Sequence, residues 1–147
     1  MELLKNTNRI SDFAEVEVDV DTIAKALGVS AEEYVESVTG TTLSGISEQW
    51  VANKLNAKRI LGEQLKWDVV AFHRLRKKIE VRNICLTSEI SFAPSTARGK
   101  GRFFEESTFL DKLESIDSYV FVDLRDRLRT NPKLYEISSD EVLELYR

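Results

Sequence analysis

Two acidic residues stand inside apolar runs of this sequence, where an ionised side chain needs a partner. Asp68 lies in the run 67–72 and Glu80 in the run 79–86. An ionised carboxylate in an apolar site is very costly unless a cation or hydrogen bonds compensate it. The runs read as two strands of one hairpin, which would bring the two carboxylates close together. This pattern predicts a metal site.

Three further residues are candidates for the same site. Alternate residues of a strand share a face, so Arg82 and Lys78 would flank Glu80 on one side of its strand. Ser47 is a plausible N-cap for a helix reaching about residue 58, and Glu48 would share the inward face of that helix. Stabilisation by the helix dipole is an alternative explanation for an acidic residue in a first turn.

The charge distribution indicates where a polyanion would bind. The formal net charge is −4, yet residues 58–102 hold 11 basic and 4 acidic side chains, while both flanking thirds are acidic. Alternating glycine and basic residues at 98–102 would let backbone amides and cations approach phosphates. Basic loops that only solvate a sheet are the alternative. The predicted nucleic-acid contacts are Arg74, Arg76, Lys77, Lys78, Arg98, Lys100 and Arg102.

Composition limits the class of protein. The 147 residues fit one domain with at most a small appendage, and 42% apolar with 31% charged residues indicates a globular chain. No run approaches the roughly 18–20 apolar residues of a membrane span, and the start lacks a signal-peptide pattern. Cys85 is the single cysteine, so we expect a cytoplasmic protein without membrane partners. His73, the single histidine, is interpreted as a hairpin-loop residue and not a catalytic base.

A helical hairpin is predicted at residues 21–39, in the N-terminal third of the chain. Asp21 would cap its first helix, Ser30 and Glu33 would form a capping box on the second, and Gly40 would end it before a loop at 41–45. The second helix carries three glutamates and no basic residue, which favours a structural or protein-binding role over base reading.

The remaining pattern predicts further strands and helices. Strands are expected over 67–72, 79–86, 119–124 and 134–137, and helices over 22–27, 31–38, 47–58, 103–115 and 140–146. Residues 16–20 would form a short edge strand or an extended lead-in, and residues 60–66 a strand or an irregular lead-in.

This order of elements, with Glu48 on a helix, Asp68 opening one strand and Glu80-Val81-Arg82 inside the next, resembles the PD-(D/E)XK nuclease superfamily. The resemblance covers residues 46–137 and implies a restriction-endonuclease-like α/β (α+β) fold, a mixed sheet flanked by helices. Residues 1–45 would form an N-terminal helical segment and residues 46–147 the nuclease-like domain.

The resemblance also implies a metal-dependent DNA endonuclease. Mg²⁺ (or Mn²⁺) would be held by Asp68, Glu80 and the Val81 carbonyl, with Glu48 acting through water or at a second metal. Arg82 would contact the scissile phosphate. We expect a homodimer, because double-strand cleavage by a chain this small usually needs two active sites.

One departure from the family pattern keeps two alternatives open. The family has lysine where this chain has Arg82, and arginine is effectively never deprotonated; Lys78 could supply an ammonium instead. The chain could therefore be a catalytically weak or inactive nucleic-acid-binding or regulatory protein on the same fold. It could also be a protein-interaction module that binds through residues 21–39, with Asp68 and Glu80 paired to Arg82 and Lys78.

Overall fold

A computed structural model describes residues 11–60, 68–71, 77–85 and 106–146. These residues form a six-stranded mixed sheet and five helices, which confirms the predicted mixed α/β class. No helix within these ranges has the length and apolar content that a membrane crossing needs. The strands are β1 (Ser11–Glu15), β2 (Lys58–Arg59), β3 (Val69–Ala71), β4 (Lys77–Ile84), β5 (Ser118–Asp123) and β6 (Lys133–Ser138). The helices are α1 (Val20–Leu27), α2 (Ala31–Ser37), α3 (Gly40–Lys54), α4 (Glu106–Ser115) and α5 (Ser139–Tyr146).

The sheet has the strand order β1-β6-β5-β4-β3-β2. Strands β2, β3 and β4 follow one another as antiparallel neighbours, whereas β4 and β5 are parallel. Parallel neighbours need a crossover connection, and α4 lies within it. Strands β6 and β1 extend the sheet with antiparallel pairs.

Alternate residues of the central strands separate two apolar cores. Val120 and Val122 of β5 pack with α3 residues such as Val51 on one face of the sheet. Tyr119 and Phe121 point the other way, into a cluster with residues of α4 and α5. Since successive strand residues face opposite sides, the sheet lies between α3 on one face and α4 with α5 on the other.

Helix α2 is anchored to the turn after β5 by its acidic side chains. Glu36 binds Arg127 and Arg129 at 2.7 Å each, and Glu32 binds Arg129 at 3.0 Å. These hydrogen-bonded guanidinium groups lower the pKa of Glu36, and Arg129 has the largest effect. The acidic face predicted for a protein partner therefore has intramolecular partners in this structure.

The capping signals of the first two helices were partly correct. The capping box is present, because Ser30 Oγ accepts the Glu33 N–H and Glu33 Oε1 accepts the Ser30 N–H, both at 3.0 Å. Gly28 ends α1 with a left-handed φ of 75°. The prediction for Asp21 was wrong: Asp19 caps α1 by accepting the Thr22 N–H at 3.1 Å.

The predicted start of α3 was wrong. Gly40 does not end a helix but begins one, and the predicted loop at 41–45 is helical. Thr39 is the N-cap, with its side chain accepting the Thr42 N–H, so Ser47 lies inside the helix and is fully buried. Leu43, Ser47 and Val51 recur every four residues and bury one face, which favours the longer helix. The proposed domain boundary between residues 45 and 46 falls inside α3.

The predicted end of α3 was also wrong: the helix ends at Lys54, Asn56 has a left-handed φ of 51°, and Lys58 and Arg59 form β2. The other elements agree with the predictions to within two or three residues, where they are described. Strands β5 and β6 each begin one residue earlier than predicted, and β4 begins at Lys77 and ends at Ile84. Residues 16–19 are not a strand but an extended lead-in, held by Val16 N–H donating to Pro132 O at 2.8 Å. Residues 61–67 and 101–105 lie outside the described residues, so the predicted lead-in and the first turn of the 103–115 helix are described only in part.

Candidate acidic site at the β3–β4 strand pair

Asp68 and Glu80 are brought together by strand pairing. Val69 is the register partner of Ile79, and the Asp68 N–H donates to the Ile79 carbonyl at 2.9 Å. The regular ladder ends at Val69, and Asp68 lies at its end, close enough to Glu80 for the charge of Glu80 to raise the pKa of Asp68. Asp68 Oδ2 also accepts the Val81 N–H at 2.8 Å, so the side chain is fixed against β4. The predicted juxtaposition of the two carboxylates is present.

The environment of Asp68 opposes ionisation. The pKa of Asp68 is raised from 3.8 to about 7, mainly by burial and next by the negative charge of Glu80. The Val81 N–H bond acts in the opposite direction, Glu48 adds weaker repulsion, and the positive charge of Lys112 lowers the pKa slightly. Asp68, Glu80 and Glu48 therefore form one electrostatically coupled set of acids.

Glu80 holds a different cation on each carboxylate oxygen. Oε2 lies 2.7 Å from Lys112 Nζ, and Oε1 lies 3.4 Å from Arg82 Nη2. All three side chains are largely buried, with exposed fractions between 10% and 14%, so solvent screens these contacts little. Arg82 lies where strand alternation predicted.

Lys112 is a residue of the site that the sequence pattern did not predict. It belongs to α4, whose buried stripe includes Phe109 and Leu113. Positions three apart share a helix face, so Lys112 follows Phe109 onto the side that packs on the sheet. The signal in the sequence was a charged residue, Lys112, between the apolar positions Phe109 and Leu113 of one helix face. Its contact with Glu80 depends on the crossover from β4 to β5, which the residue pattern alone does not specify.

Glu48 reaches the site from the opposite helical layer. It is half-buried in α3 and contacts Arg59, with Glu48 Oε1 lying 3.4 Å from Arg59 Nε. Burial raises the pKa of Glu48, and Arg59 opposes this effect. Since α3 begins at Gly40, Glu48 is beyond the first turn, where helix-dipole effects are concentrated. The dipole explanation for this residue was therefore wrong.

Tyr119 lies beside the pair on β5, as the register partner of Glu80. Its ring is fully buried, and this burial raises the pKa of the phenol. Arg82 opposes the increase and Glu80 adds to it. The phenol therefore stays protonated and adds no negative charge beside Glu80.

Asp68 and Glu80 are two carboxylates that could hold a metal ion. Among the described residues, no group of three or more acidic, histidine or cysteine side chains is arranged to hold one. Mg²⁺, however, is usually bound through one or two carboxylates, with waters and substrate oxygens completing its shell. The pair of Asp68 and Glu80 has the donor chemistry for such an open site and not for an all-protein cage.

The predicted nucleic-acid contacts are only partly described. Lys77 Nζ pairs with Glu136 Oε2 of β6 at 2.7 Å, and the Lys78 backbone N–H donates to Asp117 Oδ2 at 2.7 Å. The rest of the predicted contacts, together with His73, lie outside the described residues: Arg74, Arg76, Arg98, Lys100 and Arg102.

The geometry of this acidic site is thus defined by three elements of the chain itself: the β3–β4 pair with Asp68, Glu80 and Arg82, helix α4 with Lys112, and helix α3 with Glu48. Comparisons of the chain with protein-family models, with curated proteins and with solved structures find no match.

Proposed function

We propose that this protein is a metal-dependent DNA endonuclease on a restriction-endonuclease-like fold. The observation that carries the proposal is the pair of half-buried Asp68 and buried Glu80, in which burial and then repulsion by Glu80 raise the pKa of Asp68 to about 7. Perturbed carboxylates that face one another are characteristic of functional sites, since a fold gains no stability from them. A divalent cation would turn that repulsion into attraction.

The residues that would hold Mg²⁺ or Mn²⁺ are Asp68, Glu80 and the Val81 carbonyl. The N–H of Val81 already donates to Asp68, which supports a role for this residue beside the pair. Such a metal lowers the pKa of a bound water and neutralises charge on a phosphate. Glu48 would act through water, because its carboxylate already contacts Arg59.

Arg82 would bind the scissile phosphate next to the carboxylates. A guanidinium is a planar cation with several donors, so it can stabilise negative charge on a phosphate but is not suited to act as a base. The basic residues between positions 58 and 102 would hold the flanking phosphates, which positions the duplex without reading its sequence. The element order, in which α3 precedes three antiparallel strands and α4 leads to a parallel β5, supports the resemblance on which these roles rest.

Plasmid cleavage tests the proposal. We expect wild-type protein to nick and linearise supercoiled plasmid with Mg²⁺ or Mn²⁺ but not with EDTA. Asp68→Asn and Glu80→Gln keep the size of each side chain and should reduce the rate by about 100-fold or more, because transition-state charge then loses its main compensation. Asp117→Asn is the matched control: Asp117 also accepts a β4 backbone N–H but is exposed. Intact plasmid with wild type, or equal cutting by Asp68→Asn, would contradict the proposal.

A second candidate function is nucleic-acid binding without cleavage. It is favoured by the two cations on Glu80, Lys112 and Arg82, because they neutralise this carboxylate without a metal. This candidate predicts salt-dependent DNA binding with no cleavage under any divalent cation. The expected homodimer is tested separately by sedimentation of the protein with and without DNA.

A further inference from the structure

Among the residues that the structure describes, the cation nearest to Glu80 comes from a helix and not from the strand that carries Glu80. Lys112 Nζ contacts Glu80 Oε2 at 2.7 Å, and only 14% of the Lys112 side chain is exposed. Its charge also reaches Asp68, whose pKa it lowers. The ammonium therefore lies where the fields of both carboxylates act.

Neutralising Glu80 does not by itself require Lys112. Arg82, two residues along the same strand, already lies 3.4 Å from the other carboxylate oxygen. Fixing a lysine side chain sacrifices much rotamer freedom. Lys112 is therefore a second cation on a carboxylate that already has one within its own strand.

Lysine offers a site something that arginine does not. Its ammonium is a compact point charge with three donors. One donor can stay on Glu80 while another reaches a neighbouring oxygen. A phosphate held at the Asp68–Glu80 pair would bring such an oxygen close, and hydrogen bonds between an ammonium and a phosphate are charge-assisted and strong.

We propose that Lys112 is a catalytic residue of this site, binding Glu80 and a non-bridging oxygen of the scissile phosphodiester at the same time. This role rests on the proposed nuclease function. In the hydrolysis, a water oxygen forms a bond to phosphorus, the phosphorus–leaving-oxygen bond breaks, the water gives a proton to solvent and the leaving oxygen takes one from solvent. Lys112 neither gives nor takes a proton in this step and stabilises the added negative charge.

The test compares Lys112→Gln with Lys112→Arg and wild type. Arg127→Gln is the control, because it removes an ion pair of equal length, to Glu36 at 2.7 Å, on the turn after β5 and outside the acidic site. Two measurements are made on each: the single-turnover cleavage rate with Mg²⁺, and the salt dependence of binding to a labelled DNA duplex with Ca²⁺ in place of Mg²⁺.

We expect Lys112→Gln to lower the cleavage rate by about 100-fold, the usual effect of removing one donor to a developing charge. Its plot of log affinity against log salt should be shallower by about one, because one phosphate contact is lost. Arg127→Gln should match wild type in both measurements. Lys112→Arg keeps the charge and should keep the wild-type slope, while its bulkier fork lowers the cleavage rate by about 10-fold.

The outcomes separate this role from the nuclease function itself. If wild type cuts while Lys112→Gln cuts at a similar rate with an unchanged slope, the role of Lys112 is overturned and the nuclease stands. If wild type binds but does not cut, the nuclease fails, and a slope lowered by about one still supports the phosphate contact. Wild type that neither binds nor cuts overturns both. If Lys112→Gln does not fold, Lys112→Arg decides, and a wild-type cleavage rate in that variant overturns the proposal.

Discussion

Replacing Asp68 by asparagine should make the metal-free protein more stable. Raising the pKa of Asp68 from 3.8 to about 7 means that, above both values, keeping this side chain ionised costs on the order of 4 kcal/mol, at about 1.4 kcal/mol per pH unit. A neutral amide avoids the repulsion by Glu80 but still loses hydration. We therefore expect Asp68→Asn to recover about half of this cost, about 2 kcal/mol.

The gain should depend on pH in a defined direction. Because the pKa of Asp68 is raised in the folded state, its contribution to stability is fully present below the ordinary value of 3.8 and is lost as the pH rises to about 7. Asp68→Asn has no carboxyl group to titrate there. The difference in the free energy of unfolding should therefore be smallest near pH 4 and reach its full value above about pH 7.

Urea unfolding in EDTA across this pH range measures the difference. Asp117→Asn, which alters an exposed aspartate bound to the same strand, should show no such gain. Adding Mg²⁺ should stabilise wild type and leave Asp68→Asn unchanged, because only the carboxylate is a strong ligand. A variant that is no more stable than wild type at about pH 8, or a gain that does not change with pH, would refute the reasoning.

Three further substitutions test the structure around the site by urea unfolding. Ser30→Ala removes the capping box with Glu33 and should cost about 1 kcal/mol; an unchanged midpoint would argue against this cap. Val51→Ala empties part of a fully buried position in α3 and should cost about 2 kcal/mol or more with an unchanged slope. Gly45→Ala should stabilise α3 by less than about 1 kcal/mol, because the new methyl would lie 2.8 Å from Arg59 Nη2 and displace that flexible end; a clear loss would show that Arg59 cannot move.

The sequence predicted the strands of the acidic site better than the helix beside it. Residues 79–86 alternate strongly enough to place Glu80 and Arg82 on one face, and the structure agrees. The start of α3 was missed because Thr39, Thr41, Thr42 and Ser44 all have cap-forming side chains, and Gly40 fits a helix end as well as a beginning. The helix begins at Gly40 because Leu43 and Ser47 are buried against the rest of the protein. A local sequence pattern does not contain that information.

The contact between Lys112 and Glu80 was missed for a different reason. The sequence places Lys112 on the inward side of a helix, next to Leu113, but does not say which strand faces it. That choice follows from the parallel pairing of β4 with β5, which fixes where α4 lies. Non-local topology therefore decided the partner of Glu80, and strand alternation found only Arg82.

The pairing of β1 with β6 has a consequence for the order of folding. Its register partners, such as Ser11 and Glu136, are separated by more than a hundred residues, whereas β5 and β6 are joined by a short turn. Closing so long a loop is slow compared with local pairing. β1 should therefore dock late and be the first strand to exchange its amide hydrogens, while Asp68 and Glu80, toward the opposite edge of the sheet, remain protected.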